Sequence, residues 1–225
     1  MWAVAQGSTR VTKSRAVTVA MMLLLAVACS RTTSAPDQLT QTTSSVNPGM
    51  QTFTDAAAHF SIDVPANWTQ VAVDDPVAMA NLKKVMDQNP DLANVVGDTS
   101  SLAERGVKFV AVGVLDKSNV IVGMQLERGI SYPPTESDWQ DYYNGQSSYY
   151  ASMGVTVVSH GVVHDPNDAN GVTHYEVNLT VKVGSLGPRS VNQETYVSPA
   201  ATYVVNLTGS SPALGPIGDS FKILP

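Results

Sequence analysis

His174-Tyr175-Glu176-Val177-Asn178-Leu179-Thr180-Val181-Lys182-Val183 alternates strictly between polar and apolar side chains. A period of two puts Tyr175, Val177, Leu179, Val181 and Val183 on one face of an extended strand, and His174, Glu176, Asn178, Thr180 and Lys182 on the other. This is a long strand with one core face. Its neighbours largely keep the same period: Val155–Val163 before it, Val191–Val197 and Tyr203–Leu207 after it. Asp165-Pro166-Asn167-Asp168-Ala169-Asn170-Gly171 and Gly184-Ser185-Leu186-Gly187-Pro188 separate them as turns. Consecutive strands joined by tight turns predict an antiparallel sheet.

Upstream of Gly154 the period lengthens to that of a helix. Thr135-Glu136-Ser137-Asp138 has capping-box form, and Trp139, Tyr142, Tyr143, Tyr149, Tyr150 and Met153 recur at helical spacing until Gly154 stops the helix. Asp74-Asp75-Pro76 starts another helix, with Met79, Leu82, Val85 and Met86 as its buried face. Asn89-Pro90-Asp91 starts a shorter one through Val96, and Ser101-Leu102-Ala103-Glu104 predicts one more turn. Between the helices, Val107–Leu115 is apolar on both faces and belongs inside a sheet. Asp116-Lys117-Ser118-Asn119 is a turn, and Val120, Val122, Met124 and Leu126 line one face of the next strand. His59–Val64 and Trp68–Val73 are two strands at the start of the domain, split by Pro65-Ala66-Asn67. Residues 217–223 close the chain as a short helix or a last strand. Strands, then helices, then more strands make an α+β layered domain, with helices against a curved antiparallel sheet.

The first 28 residues have a different composition. Arg10, Lys13 and Arg15 form a basic region without acids, and Ala16–Ala28 is an apolar run too short to span a bilayer. Ala26-Val27-Ala28-Cys29 resembles the bacterial lipobox, Leu-(Ala/Ser)-(Gly/Ala)-Cys, with Ala26 where Leu is usual. The expectation is cleavage between Ala28 and Cys29, then lipidation of Cys29, the only cysteine of the 225 residues. A thioacyl cysteine leaves no thiol for a disulfide, so the fold relies on its core. The resulting division is 1–28 signal peptide, 29–51 lipidated cysteine with a flexible Ser/Thr-rich tether, and 52–225 folded domain. Cleavage leaves 10 basic against 19 acidic groups, a balance of −9, which disfavours nucleic acid and anionic headgroups.

Three motifs together resemble the Mog1/PsbP-like fold, and within it the LpqN/LpqT type of actinobacterial lipoprotein. They are Phe60-x-Ile62-x-x-Pro65-x-x-Trp68, Tyr203-Val204-Val205-Asn206-Leu207-Thr208-Gly209, and Ile217-x-x-Ser220-Phe221-Lys222. The resemblance implies a non-enzymatic envelope protein, lipid-anchored on the extracytoplasmic face of the cell membrane, that binds a protein partner or an amphiphilic lipid or glycolipid. It carries no shared catalytic set, and it makes Phe60, Ile62, Pro65 and Trp68 packing residues.

The residues themselves point to little chemistry. On a strand His160 and His164 share a face but stand about 13 Å apart, so no metal is expected from them or from His174. Asp165, Asn167, Asp168 and Asn170 miss the calcium-loop order, because Ala169 takes the fifth place and Asn170 the place of Gly. No Gly-x-Ser-x-Gly elbow is present. No cofactor is expected. The aromatic stripe is either core or, through Trp139, Tyr142, Tyr143 and Tyr150, a contact surface, since Tyr and Trp pair an apolar body with a polar tip. Two other readings stand beside binding: a structural or assembly accessory without a small-molecule site, and an envelope hydrolase or metal enzyme.

Overall fold

The computed structural model describes residues 49–96, 99–126, 130–152, 154–164, 174–182 and 188–225. Cys29, the signal segment, most of the tether, Val183 and the turns at Asp165–Asn170 and Gly184–Gly187 lie outside the described residues. Strands β1 (Met50–Asp55), β2 (Phe60–Pro65) and β10 (Lys222–Ile223) form a small sheet in the order β1-β2-β10. Strands β3 (Thr69–Ala72), β4 (Val107–Gly113), β5 (Ser118–Gln125), β6 (Thr156–Val163), β7 (His174–Lys182), β8 (Pro188–Val197) and β9 (Thr202–Thr208) form a larger one, ordered β3-β4-β5-β9-β8-β7-β6. The pairings among the described residues are antiparallel. Helices are α1 (Pro76–Gln88), α2 (Pro90–Val96), α3 (Glu136–Ser152) and α4 (Leu214–Asp219). The architecture is α+β, two antiparallel sheets with flanking helices. No helix among the described residues is long and apolar enough to cross a membrane.

Local chemistry accounts for the helix ends. Asp75 accepts hydrogen bonds from Val77 N (2.8 Å) and Ala78 N (3.1 Å), and Pro76 occupies the first position of α1. At α3, Thr135 Oγ1 accepts from Asp138 N (3.2 Å) while Asp138 Oδ2 accepts from Thr135 N (2.8 Å), a reciprocal cap. The bonds that the Asp138 carboxylate accepts from Thr135 N and from Thr135 Oγ1 (2.7 Å) hold it below its ordinary pKa. Gly154, at φ 69°, ends the run in the left-handed region.

The two faces of the large sheet are covered differently. One face buries Phe109 and Ala111 of β4, Val120 and Val122 of β5, and Tyr203, Val205 and Leu207 of β9 against Phe53, Phe60, Ile62 and Val64 of the small sheet, with Ile217 and Phe221. On the other face α1 and α2 cover β3 to β5 through Leu82, Met86, Leu92 and Val96, which meet Val71, Val110 and Val112. On that same face Trp139 and Tyr150 of α3 cover β7 and β8. From Phe109 to Gly113 β4 is therefore buried on both sides, as the apolar run there requires, and Lys108 alone is exposed.

The expected boundaries shift in several places, among them β4, which ends at Gly113 and leaves Val114 and Leu115, read as strand, exposed. Met50 and Gln51, read as tether, open β1. Ser118 and Asn119, read as turn, begin β5 and are buried. Leu126 lies beyond the end of β5 and is exposed rather than on the face of Val120 and Val122. The closing segment is both things expected in turn, helix α4 and then strand β10.

Candidate functional site

The α3-covered half of the large sheet, β6 to β8, has a second face that the small-sheet core covers only at Tyr196. Register decides what stands there. Across β7 and β8, His174 faces Tyr196, Glu176 faces Glu194, Asn178 faces Asn192 and Thr180 faces Ser190. Ser159 of β6 faces Asn178 from the other side. These are the polar positions of alternating strands, so pairing gathers them on one surface. Leu214, Gly215 and Asp219 of α4 form a wall, and the result is an open groove of about 550 Å³.

A row of side-chain bonds crosses its floor. Asn178 Nδ2 donates to Ser159 Oγ (3.0 Å) and to Glu176 Oε1 (2.9 Å). Asn192 Nδ2 donates to Glu176 Oε1 (2.5 Å) and to Asn178 Oδ1 (3.2 Å). The amide hydrogens of both asparagines are thus turned into the row. Asn192 Oδ1 is buried and has no hydrogen-bond partner among the described residues. With these amide hydrogens engaged and the carboxyls of Glu176 and Asp219 in the lining, the floor offers acceptors to a ligand that brings N–H or O–H groups, while the Ser159 and Ser190 hydroxyls can donate as well as accept.

Three carboxyls, Glu176, Glu194 and Asp219, line the groove. Glu194 is 8% exposed, and burial raises its pKa against the opposing pull of the bond it accepts from the Tyr196 hydroxyl. A Cβ on Gly218 would stand 2.4 Å from Glu194 Oε1, so α4 lies on this carboxylate only because that residue has no side chain. Burial, then the Glu194 charge, pushes the Tyr196 phenol up. Burial lowers the His174 imidazole, while Glu176 and Asp219 pull the other way. Among the described residues no group of three or more His, Cys, Asp or Glu is placed to hold a metal ion.

The residues singled out by sequence fall elsewhere. Trp139 has no exposed surface and stacks on Tyr175 with ring centroids 5.5 Å apart. Tyr150 is buried, its hydroxyl 2.8 Å from Gln146 Oε1 and 2.7 Å from Gln193 Oε1, and burial raises its pKa. Both belong to the core, the first of the two readings the sequence left open, and so drop out of the candidate contact surface: α3 lies over the apolar face of β7, and Tyr175, Val177 and Leu179 receive these rings. Tyr142 and Tyr143 are half-buried, and Tyr143 stacks on exposed His160 at 3.7 Å. His160 thus faces α3, whereas His174 lies on the opposite sheet face against Tyr196, at 4.6 Å. His164 is exposed beyond the end of β6.

Sequence reasoning placed Glu176 and Asn178 on the polar face but missed Asn192, Glu194 and Asp219. The alternation Ser190, Asn192, Glu194 was the available signal for β8. Asp219 had none, because only the packing of α4 brings it to the groove.

No known protein-family profile matches the chain. No curated protein sequence matches it either. Among solved structures it is similar to the solution structure of cyanobacterial PsbP (CyanoP) from Synechocystis sp. PCC 6803, with 15% identity, a TM-score of 0.49, and coverage of 80% of this chain and 96% of that one. It is also similar to the crystal structure of the Saccharomyces cerevisiae Ran-binding protein Mog1p, with 9% identity, a TM-score of 0.42, and coverage of 78% and 95%. These are likenesses of fold, and no function is read from them.

Proposed function

We propose that this chain is a lipid-anchored, non-enzymatic protein of the cell envelope, of the LpqN/LpqT type, held at the extracytoplasmic face through Cys29. Its domain uses the groove over β6 to β8 to bind a protein partner or an amphiphilic envelope molecule. The anchor is supported by the basic segment, the apolar run and the small residues before Cys29. Binding is supported by one observation: the polar face of β6 to β8, opposite the α3-packed core, forms an open groove lined by carboxyl, amide and hydroxyl groups.

The test is extraction from native membranes, with identification of every co-purifying protein and lipid. Ser190→Trp is the comparison, because Ser190 is exposed within the groove and a bulky ring fills it without disturbing the core. A species held by the natural chain and lost from the variant supports the reading. Identical sets from both chains refute binding in the groove. Intact mass tests the anchor separately: a mature chain that does not begin at Cys29 with an acyl adduct refutes it.

A further inference from the structure

We infer that the tip of the β4–β5 hairpin, Val114 and Leu115, is a membrane-contact point that sets the orientation of the domain on the bilayer. The inference rests on the anchored reading above. Leu115 is 89% exposed, more than any other large apolar side chain among the described residues, and Val114 beside it is 37% exposed. A lone exposed leucine needs no explanation. The place of this one does.

The described chain begins at the same end of the molecule. Gly49 O accepts from Ala66 N (2.9 Å), Met50 pairs with Pro65, and Trp68 N donates to Pro65 O (2.9 Å). The Trp68 ring lies against Gly113, and its Nε1 donates to Asp116 Oδ2 (3.4 Å). Gly113 and Asp116 flank Val114 and Leu115. Trp68 therefore links the two: its backbone meets the strand end beside Gly49, and its ring meets the residues that flank the apolar tip.

About 20 residues separate Cys29 from this entry point, a root-mean-square reach of roughly 25 Å for a flexible segment. A domain of this size has a radius of gyration of roughly 16 Å. Such a leash lets the domain turn over, but it keeps the end carrying Gly49 close to the lipid. A pair of apolar side chains is too little to hold a free protein on a vesicle. On a tethered one the contact is intramolecular, and a weak preference is enough to select an orientation. The contact is apolar rather than ionic: Lys117, the cation of the tip, is paired with Asp91 at 3.0 Å. It is accordingly insensitive to the anionic lipid fraction.

The test uses the full lipidated chain on vesicles of brominated phosphatidylcholine with phosphatidylglycerol, reading fluorescence quenching of a reporter tryptophan. Leu115→Trp places the reporter at the tip. Leu126→Trp places it on another exposed leucine, past the far end of β5. Several-fold stronger quenching at the tip, unchanged when phosphatidylglycerol is omitted, is the expected result. Equal quenching at the two positions, on chains that float with the vesicles, overturns the contact and leaves the anchor standing. Chains that neither float nor carry an acyl adduct overturn the anchor and the contact with it. A second reporter, Ala66→Trp, is expected to lose its quenching when Leu115→Asp is added. Unchanged quenching there also overturns the proposal.

Discussion

Replacing Trp139 separates a core residue from a contact residue. The ring has no exposed surface, stacks on Tyr175 and meets Tyr142 edge-on at 6.0 Å. Truncating such a residue to alanine costs about 3–5 kcal/mol through lost transfer energy and the cavity left behind. That is a large part of the roughly 5–15 kcal/mol by which a domain is stable. At about 2–4 °C per kcal/mol for this size, Trp139→Ala should lower the melting temperature by roughly 6–20 °C. Trp139→Phe behaves differently. The indole Nε1–H is buried without an acceptor among the described residues, and an unpaired buried donor costs about 1–3 kcal/mol. Phenylalanine removes that donor while keeping most of the ring, so its net cost should stay under about 1.5 kcal/mol. Urea unfolding followed by circular dichroism measures both, with a shifted midpoint and an unchanged slope. An alanine variant with natural stability and lost partner binding would make Trp139 a contact residue and refute the reasoning. A phenylalanine variant as damaged as the alanine one would show that the indole nitrogen has a partner, such as a buried water.

Glu194 predicts a pH effect. Its folded-state pKa lies above its ordinary value of 4.5, so the folded chain holds this proton more tightly than the unfolded one. Stability contributed by this group therefore falls as pH rises from 4.5 through the folded pKa. Glu194→Gln should be more stable than the natural chain at pH 7, with the difference vanishing in acid. His174 acts in the opposite sense below its ordinary value of 6.5, where its lowered pKa makes stability rise with pH, so the comparison is made as a difference curve between the two chains. Gly113→Ala should cost about 1–3 kcal/mol by overpacking. A Cβ there would stand 2.4 Å from Trp68 Cε2, and the indole is packed in the core with no room to withdraw. Thermal melting checks it, and a stability equal to that of the natural chain would show that Trp68 can move.

The sequence exposes the parts of the fold that follow from local periodicity. Tyr175, Val177, Leu179 and Val181 are buried in alternation, and the caps at Asp75 and Thr135 sit where their side chains can reach free amides. Pairing between distant segments left no such mark. β1 has only Phe53 and Asp55 buried, too sparse a pattern to distinguish from tether. Ser118 looked like a turn residue, yet its Oγ accepts from Ser210 N and Ser211 N, 92 and 93 residues away, and is buried for that reason. The groove was half legible. Alternation placed Glu176 and Asn178 on a polar face, but Glu194 joins them only because β8 lies beside β7, and Asp219 only because α4 folds back over β8. Trp139 and Tyr150 stayed undecided between core and surface because composition records how many aromatics a helix carries and not how many of them its sheet can receive.

The clasp between β2 and β10 bears on how the chain is made. Asp63 N donates to Ser220 Oγ across 157 residues of sequence, and Phe221 brings its ring against Phe60, Tyr196 and Tyr203. A growing polypeptide has nearly every strand in hand before it has the residues that close its largest core. Contacts so remote along the chain make for slow folding. Until residues 217–223 are in place the largest core stays open, so this segment acts as its latch.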